Sequence, residues 1–361
     1  MENDGILELY ADFLICNNKQ ASATNLSHMV DGKVSHDSVT RMLSGNEFKS
    51  IDLWHKAKSI IREVCPITDN YKDMPVLDQP ILSIDDTIIE KPHSSENELT
   101  CWHYDHCSGR SIRGINLVSA LWVCKDWSLP VAYDLVHKDV ITTEDGEQKR
   151  KSGKTKIKMM LDFLQILHQN CLPVTHIVFD SWYSCQEVFS MVKNKMGKHF
   201  VCPIKSNRML ALSESDKLNG KWIHLDQVDF SGKKAIKVWL KGVAFPVLLH
   251  KQVFTNKDES TGIIYLVSDN LELTAQEISA IYEKRWKVEE YHKSIKSNIG
   301  IEKSPAHTVR TQSNHIFASL YAFIKLEKIG HKLKKNHFAI QNLLYIPALQ
   351  IAYKLYVNLC A

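Results

Sequence analysis

PILSID at residues 80–85 and THIVFD at residues 175–180 share one pattern, a short apolar run that ends in a carboxylate. Runs of this length bounded by turn residues read as strands, and the C-terminal ends of strands are where open sheets present reactive groups. Asp85, with Asp86 beside it, and Asp180 are therefore candidate site residues. The competing reading is purely structural, since aspartates also cap strand-to-loop transitions. Around these two runs, GINLVSALWVC (114–124) and residues 129–136 supply further strands. Residues 156–170 and 184–196 read as helices, so a sheet with helices is expected here.

The flanks differ in texture. Residues 1 to about 66 read as helical, and within them 23–30 and 35–43 have the proportions of a helix-turn-helix, with Ser35 as an N-cap and Asp37 in the first turn. Thr40 and Arg41 would then face a DNA groove; a small helical bundle with no DNA contact is the alternative. A linker is expected from Cys65 to Pro80. From 200 to 269 strand follows strand, and from 274 the chain is helical again apart from a break at Gly300–Pro305. The expected organisation is a helical N-terminal part (1–75), an α/β portion (76–200), a β-rich block (201–272) and a helical completion (273–361).

The last part holds IYEKRWKVEEYHKSIK, residues 281–296, in which Tyr282, Arg285, Glu289 and Lys296 follow the spacing Y-x2-R-x3-E-x6-K. On one continuous helix these four fall within a sector of roughly 60°. A carboxylate flanked by a guanidinium, an amine and a phenol suits an anionic substrate better than it suits a merely solvated face.

On these residues the sequence resembles the DDE transposases of bacterial insertion sequences, specifically the Y-R-E-K signature group, the insertion-sequence-four family and its close relatives. SIDDT (83–87), VFDSWYS (178–184) and YEKRWKVEEYHKSIKSNIGIEKSPA (282–306) carry the resemblance, which covers about 70–330. It implies a ribonuclease-H-like mixed sheet interrupted by a β-strand insertion before the glutamate helix, with an all-α N-terminal DNA-binding domain. The family's acidic triad would map to Asp85, Asp180 and Glu289, as catalytic residues and ligands of two Mg²⁺ ions for which Mn²⁺ can substitute. Asp85 satisfies the family's D-x-T pattern with Thr87, and Asp86 is the alternative first ligand. The resemblance also implies cut-and-paste transposition at terminal inverted repeats, double-stranded DNA as partner and a homodimer on DNA. A nuclease without strand transfer, or a non-catalytic DNA-binding derivative, are the rival readings.

Elementary chemistry agrees with such a triad. Phosphodiester cleavage is among the slowest uncatalysed reactions, and hard carboxylate oxygens suit Mg²⁺, two of which can clamp the attacking and leaving oxygens. Without ions, clustered carboxylates repel one another and raise at least one pKa. Tyr282, Arg285 and Lys296 are expected to hold phosphates, with Lys205 and Arg208 of PIKSNR and the basic run at 149–158 as further backbone contacts. Lys284 to Lys335 holds twelve Lys or Arg against four Glu in a chain of net charge +4, which localises the expected polyanion surface. Trp182 and Trp286 are assigned to the core, with stacking on an unpaired base as the alternative.

Composition excludes other classes. Hydrophobic residues at 44% and charged residues at 24% are those of a globular protein. Nine dispersed cysteines fit a reducing compartment. The cluster Cys101-Trp-His103-Tyr-Asp105-His106-Cys107 lacks the two separated ligand pairs of structural zinc. The acidic start and the lack of an apolar run near the roughly 18–20 residues of a membrane span point to a cytoplasmic, nucleoid-associated protein with no membrane partner.

Overall fold

A computed structural model describes the chain except residues 1–2, 67–70, 106–107, 145–146, 233, 256–258 and 361. Four helices come first, α1 (Asn3–Cys16), α2 (Ala23–Met29), α3 (His36–Gly45) and α4 (Ser50–Val64). Ser22 and Ser35 begin α2 and α3, each hydroxyl accepting the backbone N–H three residues on and so satisfying a donor that the helix leaves orphaned. The apolar faces of the four helices join the same buried cluster as the sheet that follows. Polar contacts tie them to distant residues. Asn314 donates to the carbonyls of Leu43 (2.7 Å) and Asn46 (2.8 Å), and Phe48 stacks on Phe317 with ring centroids 4.5 Å apart.

The body begins with β1 (Ile81–Glu90), β2 (Cys101–Asp105), β3 (Arg110–Cys124), β4 (Trp127–Leu135), and a separate hairpin of β5 (Val140–Glu144) and β6 (Glu147–Lys151). Then follow α5 (Lys156–Gln169), β7 (His176–Phe179), α6 (Gln186–Ser190) and β8 (His199–Ile204). β1 lies between β3, which it pairs antiparallel, and β7, which it pairs parallel; β7 in turn pairs parallel with β8, and β4 pairs with β3. Gly114 permits the close approach of β3 to the end of β1, since a Cβ there would lie 2.3 Å from the Ile89 carbonyl oxygen. Burial on both faces explains why β1 and β7 read as near-continuous apolar runs.

The sheet continues beyond β8. After β9 (Met209–Ala211), α7 (Glu214–Leu218), β10 (Ile223–His224), β11 (Ala235–Leu240) and β12 (Val247–Thr255), strand β13 (Thr261–Ser268) returns to pair antiparallel with β8. Strands β12, β11, β9 and β10 extend outward from it in that order. Helices α8 (Ala275–Glu283), α9 (Trp286–Ser297), α10 (Val309–Leu333) and α11 (His337–Cys360) complete the chain. The large mixed sheet with its flanking helices fits a DDE-type, ribonuclease-H-like fold.

Two sequence expectations change. The single helix read through 281–296 is two helices with a joint at Lys284–Arg285, where the N–H groups of Lys284 and Arg285 bond three residues back, to Ile281 and Tyr282. These are 3₁₀-type bonds that tighten the chain, and both side chains are committed elsewhere: Lys284 donates to the Gln79 carbonyl (3.2 Å) and Arg285 to Asp85 (2.7 Å). The second change concerns α11, which by length and composition alone could cross a membrane. Asn342, Gln350, Lys354 and Asn358 interrupt any continuous apolar run in it, which hides its overall apolarity from a reading by runs.

Candidate active site

Register brings the two aspartates together, although only one of them ends its strand: β1 runs on to Glu90 because β3 continues to pair with it, so Asp85 lies in mid-strand and not at the strand end expected from sequence. In the parallel pair of β1 and β7, Ile84 is opposite Phe179, so Asp85 lies beside Asp180, the first residue past β7, at the spacing of about 4.8 Å that a sheet imposes. Asp180 caps the turn Ser181–Tyr183, its carboxylate accepting the Ser181 N–H at 2.6 Å. That capping contact is the structural role expected of such an aspartate, and it leaves the second oxygen for other work.

Helix α9 packs over this part of β1 and delivers the glutamate. One guanidinium nitrogen of Arg285 donates to Asp85 Oδ2 at 2.7 Å and to Glu289 Oε1 at 3.3 Å. The two carboxylate oxygens are therefore separated by no more than those two distances together. Asp180 also lies within electrostatic reach of the same guanidinium, whose own pKa is raised by Tyr282, Asp85, Glu289 and Asp180 against the opposing effect of burial. Burial lifts the Asp85 carboxyl to about 7, and repulsion from Asp86 and Glu289 adds to this, although Arg285 and the Asp86 N–H pull the other way. Burial wins because water that would stabilise the charge is excluded.

Asp86 points to the other face of the sheet, as alternation along a strand requires. Lys156 of α5 donates to its Oδ2 at 2.6 Å and Asn116 of β3 at 3.0 Å, while the Tyr183 hydroxyl donates to Oδ1 at 3.1 Å. Lys156, Asn116 and Tyr183 escaped the sequence reading as partners of Asp86. Tyr183 belongs to the VFDSWYS stretch and Lys156 to the basic run, so both were visible as residues, but nothing in their spacing pointed to Asp86.

The cationic candidates divide. Tyr282 is half-buried, burial raising its hydroxyl to about 12, and its ring lies 5.7 Å from the Arg285 guanidinium carbon. Lys296 is turned to the far end of β1, donating to the Ile88 carbonyl at 2.7 Å and pairing with Glu302 at 3.7 Å. Lys205 and Arg208 line a cavity of about 610 Å³ with Lys138, Lys154, Lys156 and Trp182. Arg41 is exposed on α3, apart from these groups, with Ser38 as its side-chain partner at 3.4 Å. Trp182 and Trp286, assigned to the core by sequence, are 59% and 64% exposed. Trp182 follows the Asp180-capped turn out over the cavity, and Trp286 begins α9 on the side away from buried Val288 and Tyr291.

Much of the basic excess is neutralised within the fold. Lys154 pairs with Asp134 (2.7 Å) and Asp162 (3.0 Å), Lys158 with Asp162 (2.9 Å), and Arg150 with Glu96 (3.6 Å). In the later segment, Lys325 pairs with Glu8 (3.0 Å) and Asp12 (2.5 Å) of α1, and Arg310 with Glu47 (3.1 Å). The acids come from other parts of the chain, so a local count overstates the free charge. In the Cys101–Cys107 cluster, Cys101 Sγ and His103 Nε2 are 3.3 Å apart and buried, and burial takes His103 down to about 4; His106 and Cys107 lie outside the described residues.

As the side chains stand, no group of three or more His, Cys, Asp or Glu among the described residues is arranged to hold a metal ion. The donor set nonetheless fits one: hard carboxylate oxygens of Asp85 and Glu289 already converge on one cationic nitrogen, and the raised Asp85 carboxyl is what a further positive charge would relieve. Asp85 and Glu289 would hold such an ion, and in its absence Arg285 pairs with both.

The sequence profile described as DDE superfamily endonuclease matches residues 4–232, from α1 through Asp85 and Asp180 to just past β10. No curated protein matches the chain. Among solved structures, the Drosophila P element transposase strand transfer complex is similar at 15% identity with a TM-score of 0.26; the match covers 53% of this chain, which spans only 36% of that one. With its profile match extending over more than half its length, the chain belongs to the DDE superfamily endonuclease family.

Proposed function

We propose that this protein is a DNA transposase of the Y-R-E-K type, with Asp85, Asp180 and Glu289 holding divalent metal, Mg²⁺ by preference. The observation that carries the reading is the sharing of one Arg285 nitrogen by Asp85 and Glu289, with Asp180 beside Asp85 through the β1–β7 register. Asp85 is the favoured first ligand because Lys156, Asn116 and Tyr183 already occupy Asp86. Bound metal would supply Lewis-acid activation of the attacking water or 3′-OH and charge neutralisation at the phosphate. The chain's own groups do the rest. Arg285 leaves its carboxylates for a phosphate oxygen, Tyr282 keeps the guanidinium aligned, and Lys205 and Arg208 hold the strand along the neighbouring cavity. In this reading the strands from 201 to 272 are an insertion in a ribonuclease-H-like core. The helices before residue 75 form the part that reads terminal inverted repeats, with Arg41 on phosphates, and two copies pair two ends in the bacterial cytoplasm.

A pre-cleaved DNA end with a free 3′-OH, incubated with protein, Mg²⁺ and target duplex, tests the proposal. Joined product is expected. Cleaved fragments without joining would favour a nuclease, and full activity in Asp180→Ala would remove the proposed acidic triad.

A further inference from the structure

Past its glutamate, α9 ends at Ser297, and Gly300, in the left-handed region with φ 69°, leads the chain into the short turn Ile301–Lys303. The four backbone carbonyls from Ile301 to Ser304 are each taken by a group from elsewhere in the chain. His315 of α10 donates to the Ile301 carbonyl at 3.1 Å, with the Tyr10 hydroxyl of α1 2.9 Å from its other ring nitrogen. The Ala21 N–H donates to the Lys303 carbonyl at 3.0 Å. The carbonyls of Glu302 (2.8 Å) and Ser304 (3.1 Å) both accept from one amine, that of Lys91, the residue after β1.

Lysine is an unfavourable residue for that place. Lys91 is only 6% exposed, and burial draws its amine down to about 8 while the Glu302 carboxylate pushes it up. At pH 7 it is therefore a buried cation, which is costly to keep. A methionine would fill the same slot without burying a charge. What the ammonium supplies and a methionine cannot is direction, two N–H bonds that fix Glu302 and Ser304 against the end of β1. The Glu302 carboxylate tightens the same junction, accepting the Glu90 N–H at 3.4 Å and pairing with Lys296 of α9 at 3.7 Å.

These ties run in step along β1. Arg285 at the start of α9 meets Asp85, Lys296 near its end meets the Ile88 carbonyl, and the turn beyond meets Lys91. Once Arg285 turns to a phosphate, the register of α9 depends on the ties beyond Glu289. A slide by one residue's rise is about 1.5 Å, more than the roughly 1 Å misplacement that can cost about 100-fold in rate.

We propose that Lys91 is a positioning residue for Glu289: by gripping the turn after α9 it holds the glutamate in register with Asp85. The inference rests on reading those two carboxylates as metal ligands. Single-turnover cleavage of labelled duplex at pH 7, read per folded molecule across a Mg²⁺ titration, tests it, together with hydrogen exchange of the metal-free chain. Lys91→Met, and Lys91→Gln to a smaller extent, should cleave about 10- to 100-fold more slowly and need about tenfold more Mg²⁺ for half-saturation, the scale expected when a group supporting a metal ligand is lost. Duplex affinity should be unchanged. In the metal-free chain, amides of residues 295–304 should exchange faster in both variants while those of β7 keep wild-type rates. Lys91→Arg keeps N–H donors for both carbonyls and has an adjoining cavity of about 520 Å³ to extend into, so it should recover much of the rate. Lys19→Met, exposed on the rim of that cavity, should match the wild type. The proposal is overturned by wild-type cleavage in Lys91→Met and Lys91→Gln, by a loss with unchanged Mg²⁺ dependence and exchange, by a parallel loss of duplex affinity, by Lys91→Arg no better than Lys91→Met, or by an equal loss in Lys19→Met. A wild type that cleaves nothing in Mg²⁺ would instead sink the metal-ligand reading, and the proposal with it.

Discussion

Asp85 and Asp86 are neighbours in one strand, yet they inhabit opposite electrostatic regimes. On the α9 side, Asp85 is held by a single guanidinium shared with Glu289, and its carboxyl is raised to about 7. On the α5 side, Asp86 accepts from Lys156, Asn116 and Tyr183 and ties three separate elements to β1. One carboxylate is under-neutralised, which suits the metal-ligand role proposed for it. The other is saturated, as a structural tie should be. The difference teaches that sequence adjacency of acids says little about shared chemistry when the strand turns them to opposite faces.

The sharpest way to break this comparison is catalytic. Asp85→Asn or Glu289→Gln should lower metal-dependent cleavage by at least about 10³ to 10⁴-fold, on the order of 4 to 5.5 kcal/mol, while Asp86→Asn stays within about tenfold of wild type once corrected for folded fraction. Single-turnover cleavage of labelled duplex measures it, and equal losses for the two aspartates would erase the distinction. Next in size is metal linkage. Saturating Mg²⁺, at about 100 times its dissociation constant, should stabilise the wild type by about 2.7 kcal/mol. EDTA should reverse the shift, Asp86→Asn should keep it, and Asp85→Asn should lose it; a thermal melt that ignores Mg²⁺ in every variant counts against the metal site.

Stability reverses the order of the two residues. Asp86→Asn leaves Lys156 without its carboxylate in a pair whose side chains are 21% and 28% exposed, and should cost about 1 to 3 kcal/mol in denaturant unfolding. Asp85→Asn should cost less or stabilise the metal-free protein. The smallest effect is the pH slope. A carboxyl at about 7 when folded and near its ordinary value when unfolded binds more protons in the native state between roughly pH 4 and 7. Metal-free stability should therefore fall as pH rises through that window, by no more than about 1.4 kcal/mol per pH unit, and level off above it. Asp85→Asn should flatten the slope, and Asp86→Asn, which removes one of the charges that repel Asp85, should reduce it only in part; urea midpoints at pH 5, 6 and 7 decide.

The candidate site was legible in sequence where its logic is local. The apolar run before each aspartate marks a strand, although β1 carries on past Asp85 to Glu90, and the i, i+4 spacing of Arg285 and Glu289 needs only helical geometry. What escaped reading depends on distant partners. The joint at Lys284–Arg285 exists because Asp85 and the Gln79 carbonyl hold those two side chains from some two hundred residues away, and no local propensity announces it. The basic segment looked like a free polyanion surface until α1 supplied Glu8 and Asp12 to Lys325. Trp182 and Trp286 looked like core residues because large aromatics usually are, yet both are exposed, Trp182 over the neighbouring cavity.

Sequence by itself determined the elements and their chemistry: the capped helices of the first 64 residues, the apolar runs that lead into Asp85 and Asp180, and the ordered spacing of Tyr282, Arg285 and Glu289. These are short-range matters of caps, alternation and periodicity, and the energies that govern them act within a few residues. Tertiary structure alone decided which oxygens are free, which cations are spent, and that α11 stands uncovered in the single chain. Those outcomes are sums of burial and charge over groups far apart in the polypeptide, and they exist only once the sheet has brought the groups together.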